Sequence, residues 1–155
     1  MLAHGRVYGF DSTGGRLLVS SDGKNWQTQS QLELLSLAVS PHQEQHLLGA
    51  TAMGLKVSRD GGKSWQTAGG PSLVLLAWPG SARLFGLDAK GGVFLSEDAG
   101  QSWMARGSLE GVPEAFIVDG SRLYAAVRER GIFVSSDDGA TWRPFYLTGP
   151  DPSTR

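Results

Sequence analysis

One phrase recurs along this chain, and no other feature restricts the fold as much. It reads SRDGGKSW from Ser58 to Trp65, SEDAGQSW from Ser96 to Trp103 and SSDDGATW from Ser135 to Trp142. A shorter form, SSDGKNW, runs from Ser20 to Trp26. The leading serines Ser20, Ser58, Ser96 and Ser135 are 38, 38 and 39 residues apart, and the tryptophans Trp26, Trp65, Trp103 and Trp142 are 39, 38 and 39 apart. A period near forty is that of four-stranded propeller blades, in which each repeat is one supersecondary unit.

The text around each phrase repeats as well. GRLLVS, GLKVS, GVFLS and GIFVS, starting at Gly15, Gly54, Gly92 and Gly131, lead into the phrase with the length and β-branched or aromatic content of strands. Before them stand RVYGFD, HLLGAT, RLFGLD and RLYAAV, with a small residue at one fixed place: Gly9, Gly49, Gly86 and Ala125. A small residue held at a fixed strand position lets another group approach closely. Further upstream, LLSLAVS from Leu34, SLVLLAW from Ser72 and EAFIVDG from Glu114 are continuous apolar runs, predicted as inner strands covered on both faces. Each unit thus predicts four antiparallel strands, and the recurrent glycines with no sustained 3.6-residue period predict almost no helix.

The phrase has a mechanical reading. An Asp side chain accepts hydrogen bonds from backbone N–H groups a few residues on and so closes a turn. Glycine supplies a positive φ there. Each tryptophan then buries roughly 150–250 Å² of ring, about 4–6 kcal/mol of gross burial before entropy is set against it. The predicted turn residues are Ser20, Asp22, Gly23 and Trp26; Ser58, Asp60, Gly62, Ser64 and Trp65; Ser96, Asp98, Gly100, Ser102 and Trp103; and Ser135, Asp137, Gly139, Thr141 and Trp142.

The pattern S-x-D-x-G-x-[ST]-W resembles the Asp-box, or bacterial neuraminidase repeat. Three copies match it fully. The first lacks one residue between Asp22 and Trp26 and has Asn25 where Ser or Thr is usual, so a tighter turn is expected there. The resemblance implies an all-β propeller of about four four-stranded blades, with the box as a structural turn on the outer part of each blade. The wider text is similar to the C-terminal half of bacterial sialidase-like propeller proteins, often labelled glycosyl hydrolases. That likeness implies an exported, periplasmic or extracellular protein, although MLAHGRVYGF shows no charged segment leading into an apolar one and no signal peptide is expected in it.

The predicted domain covers residues 1–148, with blades near 5–30, 32–69, 71–108 and 112–147 and a polar tail at 149–155. Only MLAH precedes the second strand of the first blade, so that blade is expected to be incomplete. A half-propeller would expose the side faces of its end blades, and such faces invite association. The expectation is therefore a homodimer joined through the end blades into a ring of about eight, with a fragment of a longer propeller as the alternative. Loops on one rim are the expected contact for a protein or glycan ligand.

Other functions find little support. A net charge of −1 over 155 residues carries no basic footprint for nucleic acid, no apolar run reaches the ~18 residues of a membrane span, and the absence of cysteine excludes disulfides and thiolate metal sites. A sialidase needs an arginine cluster, a tyrosine nucleophile beside a glutamate and an acid/base aspartate. The arginine-isoleucine-proline motif is absent, and Tyr8 and Tyr124 sit inside predicted strands. A glycosidase with paired carboxylates needs two free acids ~5–10 Å apart, and Asp22, Asp60, Asp98 and Asp137 are already explained by turns. HQEQH, His42 to His46, reads as a solvated loop rather than a metal site, and VRERG from Val127 as a charged hairpin tip. Neither catalytic residues, nor a metal site, nor a cofactor is expected. Trp78 lies outside the box series and is the speculative ligand contact, should it be exposed at a ring mouth. The function expected is non-catalytic binding or scaffolding through self-association. The alternative is a glycan-acting, sialidase-like hydrolase or a truncated part of one.

Overall fold

A computed structural model describes residues 1–80 and 82–148. It places sixteen strands among them and no helix. The first sheet holds β1 (Leu2–Ala3), β2 (Arg6–Asp11), β3 (Arg16–Ser20) and β4 (Gln27–Gln31). The second holds β5 (Ser36–Val39), β6 (Leu47–Thr51), β7 (Gly54–Ser58) and β8 (Gln66–Thr67). The third holds β9 (Leu73–Gly80), β10 (Arg83–Asp88), β11 (Gly92–Ser96) and β12 (Met104–Ser108). The fourth holds β13 (Pro113–Asp119), β14 (Arg122–Val127), β15 (Gly131–Ser135) and β16 (Arg143–Leu147). Each sheet is an antiparallel meander in chain order. The tail at 149–155 lies outside the described residues.

The first blade corrects one expectation. Leu2 and Ala3 pair with Val7 and Arg6, and the terminal amine of Met1 donates to the Tyr8 carbonyl at 2.6 Å. Five residues before β2 suffice because a hairpin through His4 and Gly5, both at positive φ, returns the chain at once. The blade has all four strands, the innermost a two-residue stub.

The blades pack face to face, and three seams form the core. The first joins Tyr8, Leu17 and Val19 of blade one to Leu37, Val39, Leu47 and Trp65 of blade two. The second joins Leu48, Ala50, Leu55 and Val57 to Leu76, Trp78, Leu84 and Trp103. The third sets Phe85, Leu87, Val93 and Leu95 against Leu123, Ala125, Val127 and Phe133. Strand alternation puts one row of each blade on its upstream seam and the other on its downstream seam. The small residues face upstream, where the box tryptophan lies over Gly9 and Gly49 and Leu73 lies over Gly86. A Cβ at Gly49 would stand 3.3 Å from the Trp65 ring, and one at Gly9 3.6 Å from Trp26.

The inner run of the last blade departs from its reading. Ser36–Val39 is buried throughout, whereas Glu114, Ala115 and Ile117 of β13 are exposed. No described residue covers the downstream face of β13, so its apolarity meets solvent.

Candidate functional site

The repeated polar constellation is the turn that follows β3, β7, β11 and β15. In the second blade, Asp60 Oδ1 accepts hydrogen bonds from the Ser58 hydroxyl at 2.8 Å and the Ser64 N–H at 2.9 Å. Its Oδ2 accepts from the Ser64 hydroxyl at 2.5 Å. Ser58 Oγ in turn accepts from the Gly62 N–H at 2.8 Å. The serine is buried, and its hydroxyl relays directly between a backbone donor and the carboxylate. The third blade repeats this with Ser96, Asp98, Gly100 and Ser102, and the fourth with Ser135, Asp137, Gly139 and Thr141.

The irregular first box closes by the same logic. Gly23 donates to Ser20 Oγ at 2.8 Å, and Asp22 Oδ1 accepts from the Lys24 and Asn25 N–H groups at 2.8 and 2.7 Å. The Asn25 amide donates to Asp22 Oδ2 at 2.7 Å, in place of the usual hydroxyl. The turn is one residue shorter, as the sequence implies.

These bonds act on the charge of the carboxylates. The side-chain hydroxyls of Ser64, Ser102 and Thr141, then their backbone N–H groups, hold Asp60, Asp98 and Asp137 at about 2, against an ordinary 3.8. Asp22 is held lower still, first by the Asn25 N–H. A depressed acid stabilises the fold above its unfolded value and loses that contribution as pH falls through its folded value. The melting temperature should therefore fall between pH 3.8 and about 2 as the boxes protonate, below the earlier decline that buried His46 begins under its ordinary 6.5. Thermal melts across that range test this, and a level melting temperature down to pH 2 would contradict it.

A carboxylate occupied in this way is a poor general acid or base, because a catalytic group needs a value near working pH and a free oxygen. The remaining acids are dispersed. Glu44 pairs with Arg6 at 3.2 Å, Glu114 with Arg128 at 2.9 Å, and Asp138 with Arg83 at 2.7 Å. Among the described residues, no three His, Asp or Glu side chains converge as a metal-binding group. Tyr8 is buried in the first seam and Tyr124 half-buried on the last blade, while Tyr146 is exposed.

Trp78 is not exposed at a mouth. It is 8% exposed and packs edge-on against the His46 ring, centroids 5.0 Å apart. It also lines a hollow of about 370 Å³ shared with Leu2, His4, Val39 and Pro41. The HQEQH reading is corrected in the same place. His46 is buried under Trp78, with its value lowered by burial and then by Arg59, whereas His42 is exposed. The polar string gave no sign of this, because the covering ring comes from the next blade. At the VRERG tip, Arg130 lies over Phe133 and donates to the Leu109 and Glu110 carbonyls, which ties the tip back to the third blade.

Four antiparallel blades, each turning through a Ser–Asp–Gly box, define a β-propeller architecture. Residues 56–67 match the family model of the BNR/Asp-box repeat, so the chain carries that repeat on its second blade in sequence as well as in geometry. No curated protein matches the sequence. Among solved structures, an ancestral GH74 enzyme is similar over 97% of this chain and 23% of its own, with a TM-score of 0.72 and 20% identity. The GH74 enzyme of Niastella koreensis matches over 91% of this chain and 28% of its own, at a TM-score of 0.68 and 20% identity. YCF48 bound to D1 peptide matches over 92% and 51%, at 0.67 and 18%. At these identities the likeness is one of fold, and the chain spans about a quarter to a half of the length of these proteins.

Proposed function

We propose that this chain is a binding and scaffolding module with no hydrolytic site of its own, and that it works by self-association through its end blades. One observation carries the reading. The repeated carboxylates are consumed in turns, while most of the large exposed apolar side chains lie on the end blades, Leu2 and Trp26 at one end and Ile117, Phe145, Tyr146 and Leu147 at the other, with Leu35, Met53 and Met104 on the blades between. Exposed apolar surface of that kind marks an interaction site. The fold itself is compatible with both kinds of relative, one solved as an enzyme and one bound to a peptide.

Two measurements test the reading. Light scattering on a size-exclusion column should give about 33 kDa, twice the chain mass of 16.5 kDa. Incubation with a panel of aryl glycosides that includes a sialoside should release no more product than buffer does. Turnover that co-purifies with the protein and disappears on replacing a single carboxylate would overturn the non-catalytic reading.

A further inference from the structure

We propose that the two end faces bind each other between two copies of the chain, head to tail. The downstream face of blade four receives the upstream face of blade one of a second copy, and the reverse holds at the other end. This rests on the reading of the chain as a self-associating module and specifies which surfaces meet.

The chain contains three examples of the contact. At each seam the box glycine of one blade lies against an aliphatic side chain of the blade before it. A Cβ at Gly62 would stand 2.4 Å from Leu17, at Gly100 3.3 Å from Leu48, and at Gly139 2.4 Å from Val93. Gly23 holds the same place in the first box, since it makes the same bond to its serine, yet nothing lies within 4 Å of a Cβ there. Trp65, Trp103 and Trp142 are partly covered by their seams, while Trp26 is 45% exposed.

The other end shows the complementary vacancy. Tyr8, Leu48 and Phe85 occupy one repeat position on the downstream face and are buried, whereas their equivalent Tyr124 is half-buried. Leu17, Leu55 and Val93 are buried, whereas their equivalent Ile132 is half-buried. Outer strands of the first three blades are polar or small apart from Met104 (QTQSQ, QT and MARGS), but the last reads RPFYL. Phe145 is 62% exposed and packs edge-on against Tyr124, their centroids 5.3 Å apart.

The two vacancies match because they are halves of one repeated seam. Across the first seam the Trp65 indole donates to Ser30 Oγ at 3.0 Å, and Ser30 pairs with Leu17. Tyr146 pairs with Ile132, the equivalent of Leu17, and so puts a hydroxyl-bearing side chain at the register of Ser30. The occupant is therefore a surface like blade one, and a second copy carries one. A head-to-tail contact that closes after two copies forms two equal interfaces about a two-fold axis. Four blades from each chain make a ring of eight, inside the ~4–8 range of propellers.

The test uses two single-face variants of the full chain, Trp26→Glu at the head and Phe145→Glu at the tail. The wild type should run at about 33 kDa, twice 16.5 kDa, and each variant alone at half that. An equimolar mixture of the two should regain the dimer mass, because one undamaged head then meets one undamaged tail. Leu2→Glu and Ile117→Lys form a second pair should a first-pair variant not melt cooperatively; these side chains are 74% and 61% exposed. A dimer formed by one variant alone would show like faces pairing and overturn the head-to-tail contact, with self-association intact. A wild type that stays at the chain mass at every accessible concentration would overturn both.

Discussion

Trp65→Ala should cost about 3–5 kcal/mol of unfolding free energy, the range of large aromatic truncations in a core. The Trp65 ring packs with Tyr8, Leu17, Leu34 and Leu47 at the first seam and lies over Gly49. Its indole N–H reaches across the seam to Ser30. Removal opens a cavity between two blades that strand hydrogen bonds keep from collapsing. Trp26 occupies the same place in its own box but has one side in solvent, so Trp26→Ala should cost about 1–2 kcal/mol by its smaller buried area. Both are best measured in denaturant melts with Phe145→Glu present, so that self-association adds nothing to the Trp26 value. Equal losses at the two sites would contradict the view that the seam, rather than the turn, holds the ring.

Much of this was legible in the sequence because the repeat is written in residues that act locally. The box serine, aspartate and glycine lie within five positions of one another, and their bonds follow from that spacing. The small residue and the tryptophan mark two ends of one packing contact, so the period alone predicts four strands per unit. What was not legible depends on distant partners or on which unit is last. Asn25 departs from the pattern, yet its amide donates to Asp22 as a hydroxyl would, an equivalence of chemistry that a pattern by residue type misses. His46 sits in a polar string and is buried by Trp78 of the next blade. EAFIVDG has the composition of a covered inner strand, but composition does not tell whether a further face lies beside it. Trp78 was ambiguous for the same reason, since an aromatic at a strand end reads alike whether it fills a seam or lines a mouth.

Gly131→Ala should be among the most damaging small substitutions, and Gly54→Ala is its matched control. The two glycines open equivalent strands, β15 and β7, at φ of +117° and +110°. Both substitutions place an L side chain in a backbone conformation that costs about 1–3 kcal/mol. Their surroundings differ. A Cβ at Gly54 meets nothing within 4 Å, because β8 is only two residues long and ends at Thr67. A Cβ at Gly131 would stand 2.0 Å from the Tyr146 carbonyl oxygen and 2.8 Å from the Leu147 Cα, because β16 runs on beside it. Those atoms are backbone held in a ladder, so relief requires β16 to peel away. Overpacking of this kind adds about 1–3 kcal/mol to the strain. The difference between the two melts thus isolates the contact with β16, the strand that carries Phe145 and Tyr146. If Gly131→Ala loosens β16 as argued, it should also weaken the dimer more than Gly54→Ala does, at protein concentrations where both variants remain folded. Equal stabilities and equal dimer fractions for the two would mean that β16 is not held against β15 as the register shows.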